Sequence, residues 1–266
     1  MTKKDEQNYR DNLKRIKLLR LIDDDFMSIF FDGYIEGVEL VLNVILNRND
    51  VKIIDARTQK QLNNLNGRSI RLDIYAEDNT GSRYDVEIQR KNKGANPKRA
   101  RYHSSMIDAD MLKEGTNFED LRGNYVIFIT ENDVFGLNKP AYFIESVFHE
   151  TKVQFGDNRH IIYVNGSMRT KDTALGRLMS DFYCTDAKDM HYKELAERFR
   201  NFKETEKGVK YMCDVLDEMK NEAVERANIE HAKAMIKDGM LSLEKIAEYS
   251  GLSLDKIREL AGIQSA

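Results

Sequence analysis

The feature that most constrains this chain is a change of hydrophobic period near residue 50. From Ile35 to Leu46 the apolar positions Ile35, Val38, Val41, Leu42, Ile45 and Leu46 recur at three and four residues, which predicts an amphipathic helix. Asn47, Asn49 and Asp50 end it. The period then becomes two. Residues 51–56 (VKIIDA) read as a strand. Residues 70–76 alternate Ile70, Leu72, Ile74 and Ala76 against Arg71, Asp73 and Tyr75. Residues 84–89 alternate Tyr84, Val86 and Ile88 against Asp85, Glu87 and Gln89, and the turn cluster DNTGS (78–82) joins the two runs into a hairpin.

Elements on either side follow from the same rules. Leu13, Ile16, Leu19 and Leu21 indicate helix within 10–31, and Asp23-Asp24-Asp25 precede an apolar FMSIFF stretch that Gly33 breaks. Pro97 opens a helix over 97–113, with Met106, Ala109 and Leu112 among its apolar positions. The continuous apolar run 125–130 (YVIFIT) has the pattern of a strand buried on both faces. Two more strands are expected at 141–148 and 160–166. After residue 170 the chain turns helical, at 172–183, 191–203 and about 205–238. The expected organisation is an α/β domain over 1–170 and a helical extension over 171–266.

Composition narrows the function classes. With 41% hydrophobic and 33% charged residues, the chain suits a globular core under a heavily charged surface. Its formal net charge of −3 means that any affinity for nucleic acid must rest on a local basic patch. Cys184 and Cys213 are far apart and lack metal-ligand spacing, so reduced thiols are expected. The five histidines (103, 149, 160, 191 and 231) are scattered and support neither a zinc site nor a histidine-activated nucleophile. No apolar run approaches the roughly 18 residues of a membrane span, and the polar N-terminus lacks an apolar signal core. A cytoplasmic protein without a membrane partner is the expectation.

The hairpin's register can be worked out from its turn. A three-residue loop Asn79-Thr80-Gly81 places Gly81 in the left-handed position and pairs Asp78 with Ser82. Paired residues then match apolar with apolar: Ala76 with Tyr84, Ile74 with Val86, Leu72 with Ile88. On the other face Tyr75 meets Asp85, Asp73 meets Glu87 and Arg71 meets Gln89. Facing carboxylates have Cβ atoms roughly 4.5–5.5 Å apart, and like charges there destabilise a sheet. A divalent cation converts that repulsion into ligation, and Mg²⁺ leaves room for a phosphate oxygen. Gln89 shares the face and is placed to orient a water or a phosphate. As ordinary structure, the same alternation would be a solvated sheet face. Arg83, Arg90, Lys91, Lys93, Lys98, Arg99 and Arg101 supply the positive charge that a phosphate backbone needs nearby.

These residues resemble a known family. The helix 35–46, Leu72-Asp73, Val86-Glu87-Ile88-Gln89-Arg90, the Arg99 to Tyr102 spacing, and Leu112 before Gly115 are similar to the PD-(D/E)XK nuclease superfamily, and within it to the recombination-promoting nuclease/transposase group. The likeness covers roughly residues 20–165. It implies a restriction-endonuclease-like α/β core, a mixed central sheet flanked by helices. It implies Asp73 and Glu87 as ligands of Mg²⁺ or Mn²⁺, with the Ile88 carbonyl as a third, Gln89 as a catalytic position, and DNA as partner. Leu72 stands where the family's proline is expected, and Gln89 where the motif's lysine is usual, as the transposase-like group commonly has it. Glu39 resembles the helix carboxylate that some members add, although an exposed helix residue also explains it.

Residues 241–260 (LSLEKIAEYSGLSLDKIREL) match helix-turn-helix spacing. Lys256 and Arg258 are offset by Asp255 and Glu259, so a helical hairpin packed on protein is the competing reading. Three functions stay open: a metal-dependent DNA endonuclease linked to recombination or mobile elements, a non-catalytic DNA-binding or regulatory protein keeping the nuclease fold, and an oligomeric protein acting through its helical tail. A homodimer would ease cleavage of both strands.

Overall fold

The computed structural model describes residues 3–90 and 92–263. Helix α1 (Lys3–Leu18) is followed by α2 (Asp24–Phe31) and α3 (Ile35–Leu46), then by strands β1 (Ile53–Leu62), β2 (Ile70–Asp78) and β3 (Arg83–Gln89). Helix α4 (Pro97–Met111), strands β4 (Asn124–Thr130), β5 (Ala141–Ile144) and β6 (Arg159–Asn165), and helices α5 (Ala174–Tyr183) and α6 (Lys193–Glu204) come next. The chain continues as α7 (Glu206–Asp238), α8 (Leu243–Ser250) and α9 (Leu254–Leu260). It forms two compact units. One runs from Lys17 to Asn201, and the other combines the chain before Lys17 with the chain from Phe202 onward. Among the described residues no helix is long and apolar enough to cross a membrane.

The first unit is built on a mixed sheet with strand order β1-β2-β3-β4-β6-β5. Strands β1, β2 and β3 run antiparallel as a meander, β4 joins β3 in parallel, β6 joins β4 in parallel, and β5 closes the edge antiparallel to β6. The parallel β3-β4 link needs a crossover, and α4 supplies it. The β4 run is buried at Val126, Ile127, Phe128 and Ile129, as its unbroken apolar sequence predicts. One sheet face packs under α4, where Tyr75, Ala100, Met106, Ile107, Val126, Phe128 and Tyr163 form a core cluster. Phe26, Phe30, Phe31, Phe182 and Phe199 make a second, aromatic part of the core, with Phe26 and Phe199 edge to face at 5.5 Å.

Two strands differ in length from expectation. β1 extends to Leu62, because polar residues 57–61 pair with β2 although they carry no apolar alternation. β5 stops at Ile144, and beyond it a single bridge, Val147 to Gln154, remains. Its apolar residues Phe143 and Ile144 are exposed, so nothing on that side selects a longer pleat. In the C-terminal unit, α7, α8 and α9 share a small core of Ala232, Ile246 and Ile257.

Candidate active site on the hairpin

The hairpin turn closes as its sequence dictates. The Asp78 amide donates to the Ser82 carbonyl at 3.0 Å, Gly81 sits at φ +82°, and the Asp78 carboxylate accepts from the amides of Thr80 and Ser82 and from the Tyr84 hydroxyl. The ladder runs from Glu77-Arg83 through Tyr75-Asp85 to Ile74-Val86. There it ends, one pair before Asp73 and Glu87, so the expected ladder pairs Asp73-Glu87, Leu72-Ile88 and Arg71-Gln89 are not formed. The carboxylates replace them. The Asp73 amide donates to Glu87 Oε1 at 3.1 Å, and the Ile88 amide donates to Asp73 Oδ2 at 3.1 Å. Each acid thus takes a backbone N–H of the opposite strand, and the strands are held by side chains where the site begins.

Gln89 lies beside this pair, its Nε2 donating to Glu87 Oε2 at 3.4 Å. Gly94 packs so tightly on the Gln89 amide oxygen that a side chain there would collide with it. Asp73, Glu87, Ile88 and Gln89 are therefore brought together. Glu39 is not with them. It accepts from Lys52 Nζ at 2.8 Å and from the Ile53 amide at 3.1 Å, tying α3 to β1. The helix carboxylate that acts electrostatically on Asp73 is Asp24, in the first turn of α2, which shares a cavity of about 500 Å³ with Ile88, Gln89, Arg90 and Glu131.

Behind the pair lies a polar cluster that sequence spacing did not disclose. Asp85 and Glu87 are both fully buried under α4 rather than solvated. His103, also buried, has its Nδ1 2.8 Å from Asp85 Oδ2 and 3.8 Å from Glu87 Oε1. Arg99 sits one helical turn earlier. It donates from Nη2 to Glu87 Oε2, from Nη1 to the Gly94 carbonyl at 3.1 Å, and from Nε to His103 Nε2 at 3.2 Å. Since Arg99 can only donate, His103 Nε2 must accept, which leaves the ring proton on Nδ1 facing Asp85. The only available signals were the parity of Asp85 with Glu87 and the four-residue spacing of Arg99 and His103 on one helix face.

Burial and mutual repulsion govern the electrostatics of the three carboxyls. Burial, then Asp85 and Asp73, push Glu87 up to about 9 against the pull of Arg99. Burial and the Asp73 charge hold Asp85 well above the carboxylate range, and Asp85 Oδ1 has no hydrogen-bond partner. Burial also raises Asp73, opposed by the Ile88 amide. His103 is lowered, chiefly by burial, in the same sense as the neutral tautomer that the Arg99 donor requires. Two overlapping donor sets result. Asp85, Glu87 and His103 bring ligand atoms within 4.8 Å of one another, but that set is wholly buried and its His103 Nδ1 carries the proton. Asp73 itself lines a cleft of about 980 Å³, together with Arg68, Arg71, Lys98, Arg99 and His103, and the buried Glu87 lies behind it, accepting from the Asp73 amide. The set with Asp73 is the one that brings a carboxylate to the cleft wall. Its oxygen donors suit a hard divalent ion.

A family model described as PD-(D/E)XK nuclease family transposase matches residues 38–245. No curated protein and no solved structure matches the chain.

Proposed function

This chain belongs to the PD-(D/E)XK nuclease family transposases, and from that premise we propose that it hydrolyses phosphodiester bonds of DNA in a Mg²⁺- or Mn²⁺-dependent reaction. The observation that carries the reading is the reciprocal clasp of Asp73 and Glu87, with Asp73 in the wall of a basic cleft. Asp73, Glu87 and the Ile88 carbonyl would hold the ion. When bound, it would polarise the scissile phosphate and lower the pKa of a water.

The chain's own groups do the remaining work. The Ile88 amide and Arg99 fix the rotamers of Asp73 and Glu87, so the donors are in place before an ion arrives. The buried Asp85-His103 pair under Arg99 holds that arginine's helix face in turn. Gln89 is neutral where a lysine would bring charge. It can orient a water or a phosphate oxygen through its amide but cannot neutralise a leaving group. Lys98 lines the cleft with Asp73 and is a candidate for that charge.

Plasmid cleavage with Mg²⁺ or Mn²⁺, run on wild type and Asp73→Ala, tests the proposal. Nicking by wild type and none by Asp73→Ala is expected. Persistent cleavage by pure Asp73→Ala would sink the site. Gln89 in the lysine position favours a second reading, a protein that binds DNA and does not cut it. Salt-dependent DNA binding with no cleavage under any metal would establish that reading.

A further inference from the structure

The wall of the cleft opposite α4 is the connection between β1 and β2, residues 63–69. Its backbone is internally tied. The Asn66 amide donates to Asn64 Oδ1 at 3.1 Å, and the Asn64 amide donates to Ser69 Oγ at 3.1 Å. Tyr102 of α4 clamps it, its hydroxyl donating to the Arg68 carbonyl and accepting from Asn64 Nδ2 at 3.1 Å. A loop fastened this way holds one shape, yet it displays Leu65 at 98% exposure, more than any other large apolar side chain among the described residues. A leucine left in water forgoes the free energy of its burial.

The charges beside it are equally unsatisfied. Several surface cations elsewhere have acidic partners, among them Arg48 with Asp50, Arg57 with Asp55 and Lys188 with Asp186. Arg68, Arg71 and Lys98 are exposed in the cleft, and among the described residues none of them forms an ion pair. The opposite flank of Gln89 has the other sign. There Asp24 and Glu131 line the cavity, and Arg90 is held by Asp23 and Glu131.

We propose that the β1-β2 loop grips a nucleic-acid strand on one flank of the site, with Arg68, Arg71 and Lys98 on backbone phosphates and Leu65 wedged against a base that it unstacks. Three free cations around a cleft that ends at Asp73 fit a polyanion, and a rigid apolar tip fits a base step that can be opened. The acidic flank repels a backbone, so the grip is one-sided. This rests on the phosphodiester substrate proposed above.

The test uses the full chain in EDTA with an oligonucleotide carrying 2-aminopurine, single-stranded in one arm and duplex in the other. Wild type should bind with a steep salt dependence and raise the fluorescence, and the tighter arm identifies the strand form. In Arg68→Ala/Arg71→Ala/Lys98→Ala the slope of log K against log salt should flatten by about 2 to 3. Leu65→Ala should keep the wild-type slope and lose the fluorescence rise. All four positions are exposed, and thermal unfolding checks that the variants fold. An unchanged slope in the triple variant, an unchanged fluorescence rise in Leu65→Ala, or no binding by wild type overturns the grip. Metal-dependent cleavage is scored separately. If wild type cuts through Asp73 while the triple variant keeps its slope, the grip fails and the nuclease reading survives. If wild type binds as expected but never cuts, the reverse holds.

Discussion

Glu87 shows how much one residue carries. Its carboxyl is fully buried, accepts from the Asp73 amide and from Arg99, and is pushed up to about 9 by burial and by Asp85 and Asp73. An acid whose folded pKa is raised stabilises the fold fully below its unfolded value of 4.5, and that contribution is lost as pH rises toward 9. Glu87→Gln keeps an acceptor for the Asp73 amide and cannot ionise. In EDTA it should therefore be more stable than wild type at pH 8, by more than about 1 kcal/mol, and the gap should close as pH falls to 4.5. Denaturant melts at the two pH values check this, and adding Mg²⁺ or Mn²⁺ should raise the stability of wild type alone. A second prediction concerns Gln89. A methyl at Gly94 meets the Gln89 amide oxygen, the movable end of a flexible chain, so Gly94→Ala should fold and displace Gln89. Its cleavage rate should fall as far as that of Gln89→Ala, and the double variant should fall no further, since both changes act on one side chain. Additive losses would separate Gly94 from Gln89.

Helix α4 is the element that turns the hairpin's polar face into a site. It starts at an Asn96 cap, whose side chain accepts from the Lys98 amide at 2.8 Å, with Pro97 at its first position. Arg99 and His103 lie one turn apart on its sheet side, and Tyr102 reaches the β1-β2 loop. Asn96→Ala should cost about 1 kcal/mol of stability. Because the first turn also carries Arg99, it should cost cleavage activity at temperatures well below unfolding, a split that a remote cap would not show. The helix and the hairpin were both legible in the sequence, the helix from Pro97 and the hairpin from alternation around DNTGS. The register arithmetic held through Ile74-Val86 and failed at Asp73, since pairing rules count backbone bonds and the carboxylates take those over. What alternation cannot tell is whether a charged face meets water or a helix. The burial of Asp85 and Glu87 was not legible because their cover, His103 and Arg99, lies 12 to 18 residues away in sequence on a helix whose expected apolar positions included the exposed Ala109.

At the scale of the molecule, the net charge of −3 conceals two different surfaces. In the cleft of the first unit Arg68, Arg71 and Lys98 form no ion pair among the described residues, whereas the cations of the C-terminal hairpin are already matched: Lys245 to Glu248 at 2.8 Å, Lys256 to Glu259 at 2.9 Å and Arg258 to Asp255 at 3.4 Å. Exposed pairs of this kind add little stability, but they leave few net positive charges for a phosphate backbone. The helix-turn-helix spacing is therefore better explained by packing, and the residues that match it are the ones in the core: Ile246 and Ile257 against Ala232, with Gly251 in the left-handed conformation between the two helices. The C-terminal unit then has its own small core. Ile257→Ala removes a fully buried side chain and should destabilise that unit by about 2–5 kcal/mol. Calorimetry should show a transition that moves down in temperature while another, assigned to residues 17–201 by its metal-dependent shift, stays in place. Cleavage between the two transitions should persist at the wild-type rate. Loss of cleavage as soon as the lower transition passes would mean that the tail is part of the catalytic apparatus and that its helical spacing has to be read again as a substrate contact.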